Sequence, residues 1–227
     1  MGALKSHAIV KTHELALKGK NRPWFMRKLT DNLRTATKGA GVERVWQGQL
    51  MVGLTLEDED CWPEVKSRLK DVFGVAKFYK AYDLPQDLDG LKVRLPELLE
   101  GRSFETFRIT TNRADKRFPL NSEEVNRDLG AFVKDLTGAQ VKLKGADLSI
   151  YLDIQTKGFL VYFDEVKAHG GLPVGVSGKV AVMLSGGIDS PVAAWQMMKR
   201  GCQAMFVHFH SYPLVDRTSM EKAADLV

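Results

Sequence analysis

Cysteine is scarce in this 227-residue chain: Cys61 and Cys202 are far apart and in no metal-ligand spacing. That excludes a disulfide framework and argues against a zinc site. Long apolar runs are missing too, and none approaches the roughly 18 to 20 residues of a membrane span. The opening Met1-Gly2-Ala3-Leu4-Lys5 lacks the apolar core of a signal peptide. A cytoplasmic protein with no membrane partner is the expectation. Low hydrophobicity is not a feature either: 44% of residues are hydrophobic, enough to build cores. The length leaves room for one large domain or two to three small ones.

Charge is modest in sum, +5, but uneven along the chain. Residues 1–50 carry ten Lys/Arg against three Asp/Glu, while residues 81–100 carry two against five. With a pI near 9.1, local basicity of this kind points to a polyanion, with nucleic acid the leading candidate and a solvated charged surface the plain alternative.

Up to about residue 80 the pattern alternates strand and helix. Residues 7–13 read as a strand, and Asn21 is placed to cap a helix with Phe25, Leu29, Leu33 and Ala36 on one side. Extended stretches at 43–47 and 50–56, a helix at about 60–73 carrying Val65, Leu69 and Phe73, and a strand at 75–82 complete a βαββαβ order, the ferredoxin-like pattern. From about 83 to 168 the pattern predicts a helix at 88–99, a strand at 104–111 and a helix at 122–136. The second helix starts at Ser122 and ends at Gly138, and extended stretches follow at 140–143, 148–155 and 159–165. His169-Gly170-Gly171-Leu172-Pro173-Val174-Gly175 breaks all periodicity and reads as a boundary. A last helix carries Met220, Ala223, Ala224 and Val227 on one face.

The most informative stretch is Val180-Ala181-Val182-Met183-Leu184-Ser185-Gly186-Gly187-Ile188-Asp189-Ser190. Its continuous apolar run predicts a parallel strand covered on both faces. The strand ends in a glycine turn that opens straight into a helix. Uncovered backbone N–H groups and a helix N-terminus then coincide, which makes a phosphate site. No Gly-Lys-Ser/Thr follows the glycines, so this is not the Walker-type loop. Asp189 beside phosphates would repel them unless a cation intervenes, so Mg²⁺ is implied. The plainer alternative is an ordinary strand–turn–helix connection with Asp189 as an N-cap.

Ser-Gly-Gly-Ile-Asp-Ser resembles the pyrophosphate-binding loop of ATP pyrophosphatases. Further matches follow in order. Lys11-Thr12-His13-Glu14-Leu15-Ala16-Leu17-Lys18-Gly19-Lys20-Asn21-Arg22 resembles the opening of the bacterial tRNA 4-thiouridine synthetases (tRNA sulfurtransferases). Gly101-Arg102-Ser103-Phe104 and Asn112-Arg113-Ala114-Asp115-Lys116-Arg117-Phe118 resemble their THUMP domain, an RNA-binding module. Gly170 to Gly175 resembles the family's link into the nucleotide domain, Ser185 to Cys202 its loop and first helix, and Val207-His208-Phe209-His210-Ser211-Tyr212-Pro213 its next strand and turn. One departure stands at Lys144-Gly145-Ala146-Asp147, where the family has a proline-containing turn.

The resemblance implies an α/β and α+β chain. An N-terminal ferredoxin-like domain (1–82) precedes a THUMP domain (83–168), a linker (169–175) and the start of a doubly wound, parallel-sheet adenine-nucleotide-binding domain (176–227). Such a domain needs several more strands, so the third is expected to be incomplete. The implied reaction is ATP-dependent thiolation of uridine 8 of tRNA: the uridine oxygen attacks ATP, and a persulfide sulfur displaces AMP. Ser185, Gly186, Gly187 and Ser190 would hold pyrophosphate, Asp189 would act through Mg²⁺, and Met183, Leu184, His208 and Phe209 would border adenosine. Lys11, Lys18, Lys20 and Arg22, with Arg113, Lys116 and Arg117, would contact tRNA phosphates, which position an RNA without reading its sequence. A cysteine-desulfurase-type sulfur donor, a role in thiamine biosynthesis and a homodimer are further implications. The family's sulfur-handling cysteines lie beyond residue 227.

Cys202 follows a helix of about twelve residues, roughly 18 Å long, that leads away from the loop, so it is expected to be a free thiol, as is Cys61. Trp24 and Phe25 could stack on bases, but Phe25 falls on the core face and core packing is the better reading. His208 and His210, two apart on a strand, could pair on a metal but lack a third ligand. His7, His13 and His169 carry no discriminating context. Two alternatives to the enzyme stand: a catalytically inactive tRNA-binding fragment, and a different adenylating enzyme acting on a small molecule.

Overall fold

The computed structural model describes residues 4–48, 50–185, 187–209 and 218–226. Strand β1 (Ser6–Lys11) leads into a 3-10 segment (Glu14–Asn21) and then α1 (Arg22–Ala36), β2 (Val42–Gln47), β3 (Met51–Leu56), α2 (Trp62–Lys70) and β4 (Lys77–Leu84). This is the expected βαββαβ order, and its strands follow one another as β2-β3-β1-β4. Next come α3 (Leu88–Leu99), β5 (Thr106–Arg113), α4 (Ser122–Thr137), β6 (Gln140–Val141), β7 (Leu148–Gln155), β8 (Gly158–Tyr162) and β9 (Val166–Lys167). Beyond β4 the order is β8-β7-β5-β6, with β9 on β4. Then β10 (Lys179–Met183), α5 (Asp189–Lys199), β11 (Gln203–Val207) and α6 (Thr218–Asp225) complete the described chain.

The chain folds as two compact units. The first comprises Met1–Ile9, Thr55–Trp62 and Tyr79–Glu165, the second Val10–Leu54, Pro63–Phe78 and Val166–Val227. In the first unit β8 runs antiparallel to β4 and β7, and β7 and β6 run parallel to β5. Alternation sends Phe107, Ile150, Leu152 and Val161 into a core shared with Leu95 of α3 and Leu129 of α4. Helix α4 starts at Ser122 as the sequence signal suggests, and the residue before it, Asn121, is the cap. The Asn121 side chain accepts from the N–H groups of Glu123 and Glu124 (2.9 and 3.0 Å), and Glu124 accepts in return from the Asn121 N–H (2.7 Å). This reciprocal pair satisfies N–H groups that the helix itself leaves open. Gly138, at φ 74°, ends the helix as expected.

In the second unit three expectations change. Asn21 does not cap α1: its backbone is already helical, continuing the 3-10 segment, and its side chain makes no cap bond. The buried stripe of α1 is Met26, Leu29, Thr30 and Leu33, so Met26 takes the core place expected of Phe25, which is half-buried. Strand β10 is not covered on both faces: Lys179, Ala181 and Met183 are exposed. It pairs in parallel with β11, and α5 packs on the two; full cover of a parallel strand needs helices on both sides.

The glycine-rich segment read as a linker is tied down along its length. Gly170 donates to Val75 O (2.7 Å) and accepts from Gly74 N (2.8 Å), while Leu172 donates to Lys199 O (2.9 Å). Gly175 and Ser177 both donate to Gly201 O (2.8 and 3.0 Å), and Asn32 Nδ2 donates to Val174 O (3.1 Å). Gly171 has φ +78°, and a Cβ there would lie 2.2 Å from the Lys199 carbonyl oxygen; Gly170, at φ +68°, has nothing within 4 Å of such a Cβ. Gly171→Ala is therefore expected to destabilise the chain more than Gly170→Ala. The Gly170 change carries only the left-handed backbone cost of about 1–2 kcal/mol, and urea unfolding of both variants measures the difference.

Candidate nucleotide loop and RNA-binding surface

The loop is built where two parallel strands end. Leu184 N donates to Val207 O (2.8 Å), and His208 Nδ1 lies 2.8 Å from Leu184 O, so that ring nitrogen carries the proton. Leu184 is buried, Met183 is 55% exposed and Phe209 75% exposed, which leaves an apolar lip at the carboxyl ends of β10 and β11. Ligands of open α/β sheets bind at such ends. Helix α5 then begins with Asp189 and has no side-chain cap, so its first N–H groups are not taken by a capping side chain. Pro191 stands at a first-turn position that would offer an unbonded N–H anyway. The Ser190 Oγ is shut off from solvent and has no hydrogen-bond partner among the described residues. A buried hydroxyl without a partner is costly unless a ligand supplies one. Ser185, Gly187 and Asp189 are exposed around it. Gly186 and His210, expected in the pyrophosphate loop and in a histidine pair, lie outside the described residues.

Far from this loop, the C-terminal end of α5 is fixed. Arg200 Nη1 reaches both oxygens of Glu14 (2.9 and 3.2 Å), the Ser177 hydroxyl donates to Arg200 O (2.7 Å), and Trp195 stands edge-on to Phe73 and His169 (both 5.3 Å). Cys202 is buried here with its thiol 3.7 Å from Ser177 O; both cysteines are free, and the Asp58 carboxylate beside Cys61 pushes that thiol up. Neither has a nucleophile's setting.

The basic residues fall into two groups. In the second unit Lys20 is exposed and Arg22 half-buried, together lining a groove of about 340 Å³ with Gly19, Pro23, Met26 and Gln47. Lys18 lies 5.1 Å from the Phe25 ring centroid, with Trp24, 45% exposed, edge-on to that ring. Lys11 stands apart, its ammonium 3.9 Å from the Met51 sulfur. The first unit holds the other group, which is more committed than its charge suggests. Arg113 Nη2 donates to the carbonyls of Lys116 and Phe118 (2.9 and 3.1 Å), bracing the loop. Arg117 grips Asp115 with two nitrogens (3.0 and 3.1 Å) and holds that carboxyl below its usual range. This contribution is present above the unfolded carboxyl value of about 3.9 and is lost as pH falls through the lower folded value. Lys116 alone of the three is exposed with its side chain in no ion pair among the described residues.

Residues that sequence reasoning passed over have roles as well. Asp147, in the turn that departs from the family pattern, accepts from the hydroxyl and N–H of Thr106 (2.8 and 2.9 Å), and these bonds lower its pKa. His7 Nδ1 is 3.1 Å from the Thr55 hydroxyl, a core bond that a lone histidine in a strand pattern does not announce.

Set beside known proteins, the chain matches three family models in succession: the ThiI ferredoxin-like domain over residues 7–79, the THUMP domain over 86–164, and the thiamine biosynthesis protein ThiI over 175–227. Fold and loop thus define a THUMP-bearing chain joined to the opening of a nucleotide-loop domain. It is 49% identical to a probable tRNA sulfurtransferase of Thermus thermophilus, over 94% of this chain and 52% of that protein. The corresponding protein of Brevibacillus brevis is 38% identical, over 96% and 55%. A crystal structure of a 4-thiouridine synthetase–RNA complex with bound ATP superposes with a TM-score of 0.84 at 31% identity, covering 99% of this chain and 57% of that one. The chain belongs to the tRNA sulfurtransferase (ThiI) family and spans about half the length of the curated relatives it matches.

Arg113 and Lys116 are expected to separate cleanly. Arg113→Ala should lower stability by about 1.5–3 kcal/mol through its lost charged hydrogen bonds. Lys116→Ala should leave the melting temperature unchanged, and thermal melts of the two variants read the difference.

Proposed function

We propose that this chain supplies tRNA binding and part of the ATP site to a tRNA uridine 4-sulfurtransferase that makes 4-thiouridine at position 8. The observation that carries the reading is the start of α5, which has no side-chain cap, beside the solvent-shielded Ser190 hydroxyl, which has no hydrogen-bond partner among the described residues, at the carboxyl ends of two parallel strands. That the related 4-thiouridine synthetase was crystallised with RNA and ATP supports it.

In this reading residues 1–82 form the ferredoxin-like domain, 83–168 the THUMP domain, 169–175 the connection and 176–227 the start of the nucleotide domain. Gly186, Gly187, Ser185 and Ser190 hold the pyrophosphate of ATP through N–H and hydroxyl donors. Met183, Leu184, His208 and Phe209 border adenosine. Asp189 would act on the phosphates through a Mg²⁺ ion. Asp189 would hold the ion together with the phosphates themselves. When bound, it offsets phosphate charge. The uridine oxygen attacks the α-phosphorus and pyrophosphate leaves; adenylation turns a poor leaving oxygen into a good one. The outer sulfur of a persulfide then displaces AMP, and a second thiol breaks the remaining S–S bond, leaving a disulfide on the donor side and 4-thiouridine on the tRNA. Lys11, Lys18, Lys20, Arg22, Arg113, Lys116 and Arg117 face tRNA phosphates, Arg113 and Arg117 chiefly by shaping the loop that presents Lys116. A cysteine-desulfurase-type donor, a homodimer, a cytoplasmic setting and service to thiamine synthesis complete the proposal. The last is supported by the matching family's description, and no helix among the described residues is long and apolar enough to cross a membrane.

In the full-length protein, Asp189→Ala is expected to cut thiolation by a factor on the order of 10² or more while tRNA affinity stays unchanged. Full thiolation by this variant, followed by mass spectrometry of the tRNA nucleosides, would remove Asp189 from the assigned role.

A further inference from the structure

In the first unit, the sheet face opposite α3 and α4 carries a stack of aromatic rings. Tyr79 of β4 and Tyr162 of β8 lie 3.6 Å apart at 10°, and Tyr162 and Tyr151 of β7 lie 4.8 Å apart at 9°. The inner end is sealed: Tyr79 is fully buried and its hydroxyl donates to Asp153 (3.3 Å). The outer end is different. Tyr151 is half-buried, and its neighbour across the ladder on β5 is Thr110, small and exposed. Strand β6 pairs only with Thr106 and Phe107, so beyond them no strand among the described residues pairs with β5 on that side, and the Thr111 N–H there donates to Asn126 Oδ1 (3.0 Å).

We propose that an unpaired RNA nucleobase extends this stack, lying against the outer side of Tyr151 above Thr110. The proposal rests on the tRNA-binding reading and assigns it a stacking site that none of the basic residues named above belongs to. Arg108 is held at one edge of the slot, its Nε donating to Ser149 Oγ (2.7 Å) and its Nη2 to the Tyr151 hydroxyl (3.0 Å). Its guanidinium carbon is 5.8 Å from the Tyr151 ring centroid. A planar cation there can stack on a base or meet its phosphate. Asn112 is exposed on the other side of Thr110, its Nδ2 reaching Asp153 at 3.4 Å, and brings an amide able to pair with a base edge. Recognition of single-stranded RNA uses this combination of aromatic ring, arginine plane and short polar side chains. A protein-docking core would instead present a wider apolar patch, whereas Thr110, Asn112, Ser149 and Arg108 surround the ring with polar groups.

The test uses the whole chain with unmodified tRNA and with tRNA transcribed with 5-iodouridine. Irradiation of the iodinated complex should join RNA to the β7 peptide that contains Tyr151, found by mass spectrometry of the digest. Tyr151→Leu should weaken tRNA binding about 5- to 150-fold, as expected for loss of one stacked base, and Tyr151→Phe, which keeps the ring, should bind within about two-fold of the parent. Unchanged binding by a folded Tyr151→Leu chain, with tRNA still bound by the parent, would overturn the stacking site and leave the tRNA reading standing. Absence of RNA binding by the parent would overturn both. If the leucine variant does not fold, the cross-link on the parent decides: RNA joined elsewhere and not to β7 ends the proposal.

Discussion

Main-chain hydrogen bonds along residues 168–177 are the constraint on which the second unit depends. The peptide groups of Ala168, Gly170 and Leu172 reach Ala76, Val75 and Lys199, and Gly175 and Ser177 share the carbonyl of Gly201. A segment with few side chains to bury would ordinarily be loose; here its backbone groups are satisfied by neighbours on both sides, as buried peptide groups must be. Gly171 is required because any Cβ would strike the Lys199 carbonyl. The C-terminal end of α5 is thereby held to the strap, and the Arg200–Glu14 pair links it to the 3-10 segment that bears Lys18 and Lys20. That pair is exposed and worth little as energy. Its consequence is geometric: the helix that opens at Asp189 is anchored at its far end, so the loop before it has a fixed origin.

The basic residues show how a charge in sequence differs from a charge on a surface. Arg113 commits its Nη2 to two carbonyls and Arg117 is matched by Asp115, so the apparent cluster at 113–117 leaves Lys116 as the exposed ammonium. In the 3-10 segment the reverse holds. Lys20 projects beside a groove, and the Phe25 ring, displaced from the core by Met26, becomes a half-exposed face under Lys18. Leu29 and Leu33 keep their expected places, and Met26 and Thr30 widen the buried stripe on the side away from Phe25.

Buried polar groups in the first unit are likewise tied to specific partners. Burial and the Asp153 carboxylate push the phenols of Tyr79 and Tyr162 above their ordinary values, so both remain neutral and can serve as donors and stacked rings across the physiological range. Asp147 fastens the turn before β7 to the start of β5 through Thr106. These links set the parallel register of β5 and β7, which brings Thr110 opposite Tyr151.

Whatever depends on near neighbours along the chain could be read from the residues alone. Six elements in ferredoxin-like order, the helix at Leu88–Leu99, the strand at Leu148–Gln155 and the strand–glycine–helix opening of the nucleotide loop all follow from periodicity, turn residues and helix signals. Ser185, Gly187, Asp189 and Ser190 are near one another because they follow closely along the chain, so their proximity is a local property. The fold set which groups meet across long separations. It placed Tyr79, Tyr162 and Tyr151 in one stack, turned Arg113 inward, made Asn121 the cap, and left β10 exposed where its apolar run suggested full burial. Periodicity says which face a residue takes along its own strand or helix. Strand register and the elements packed above that face say what the residue touches, and those are properties of the folded chain.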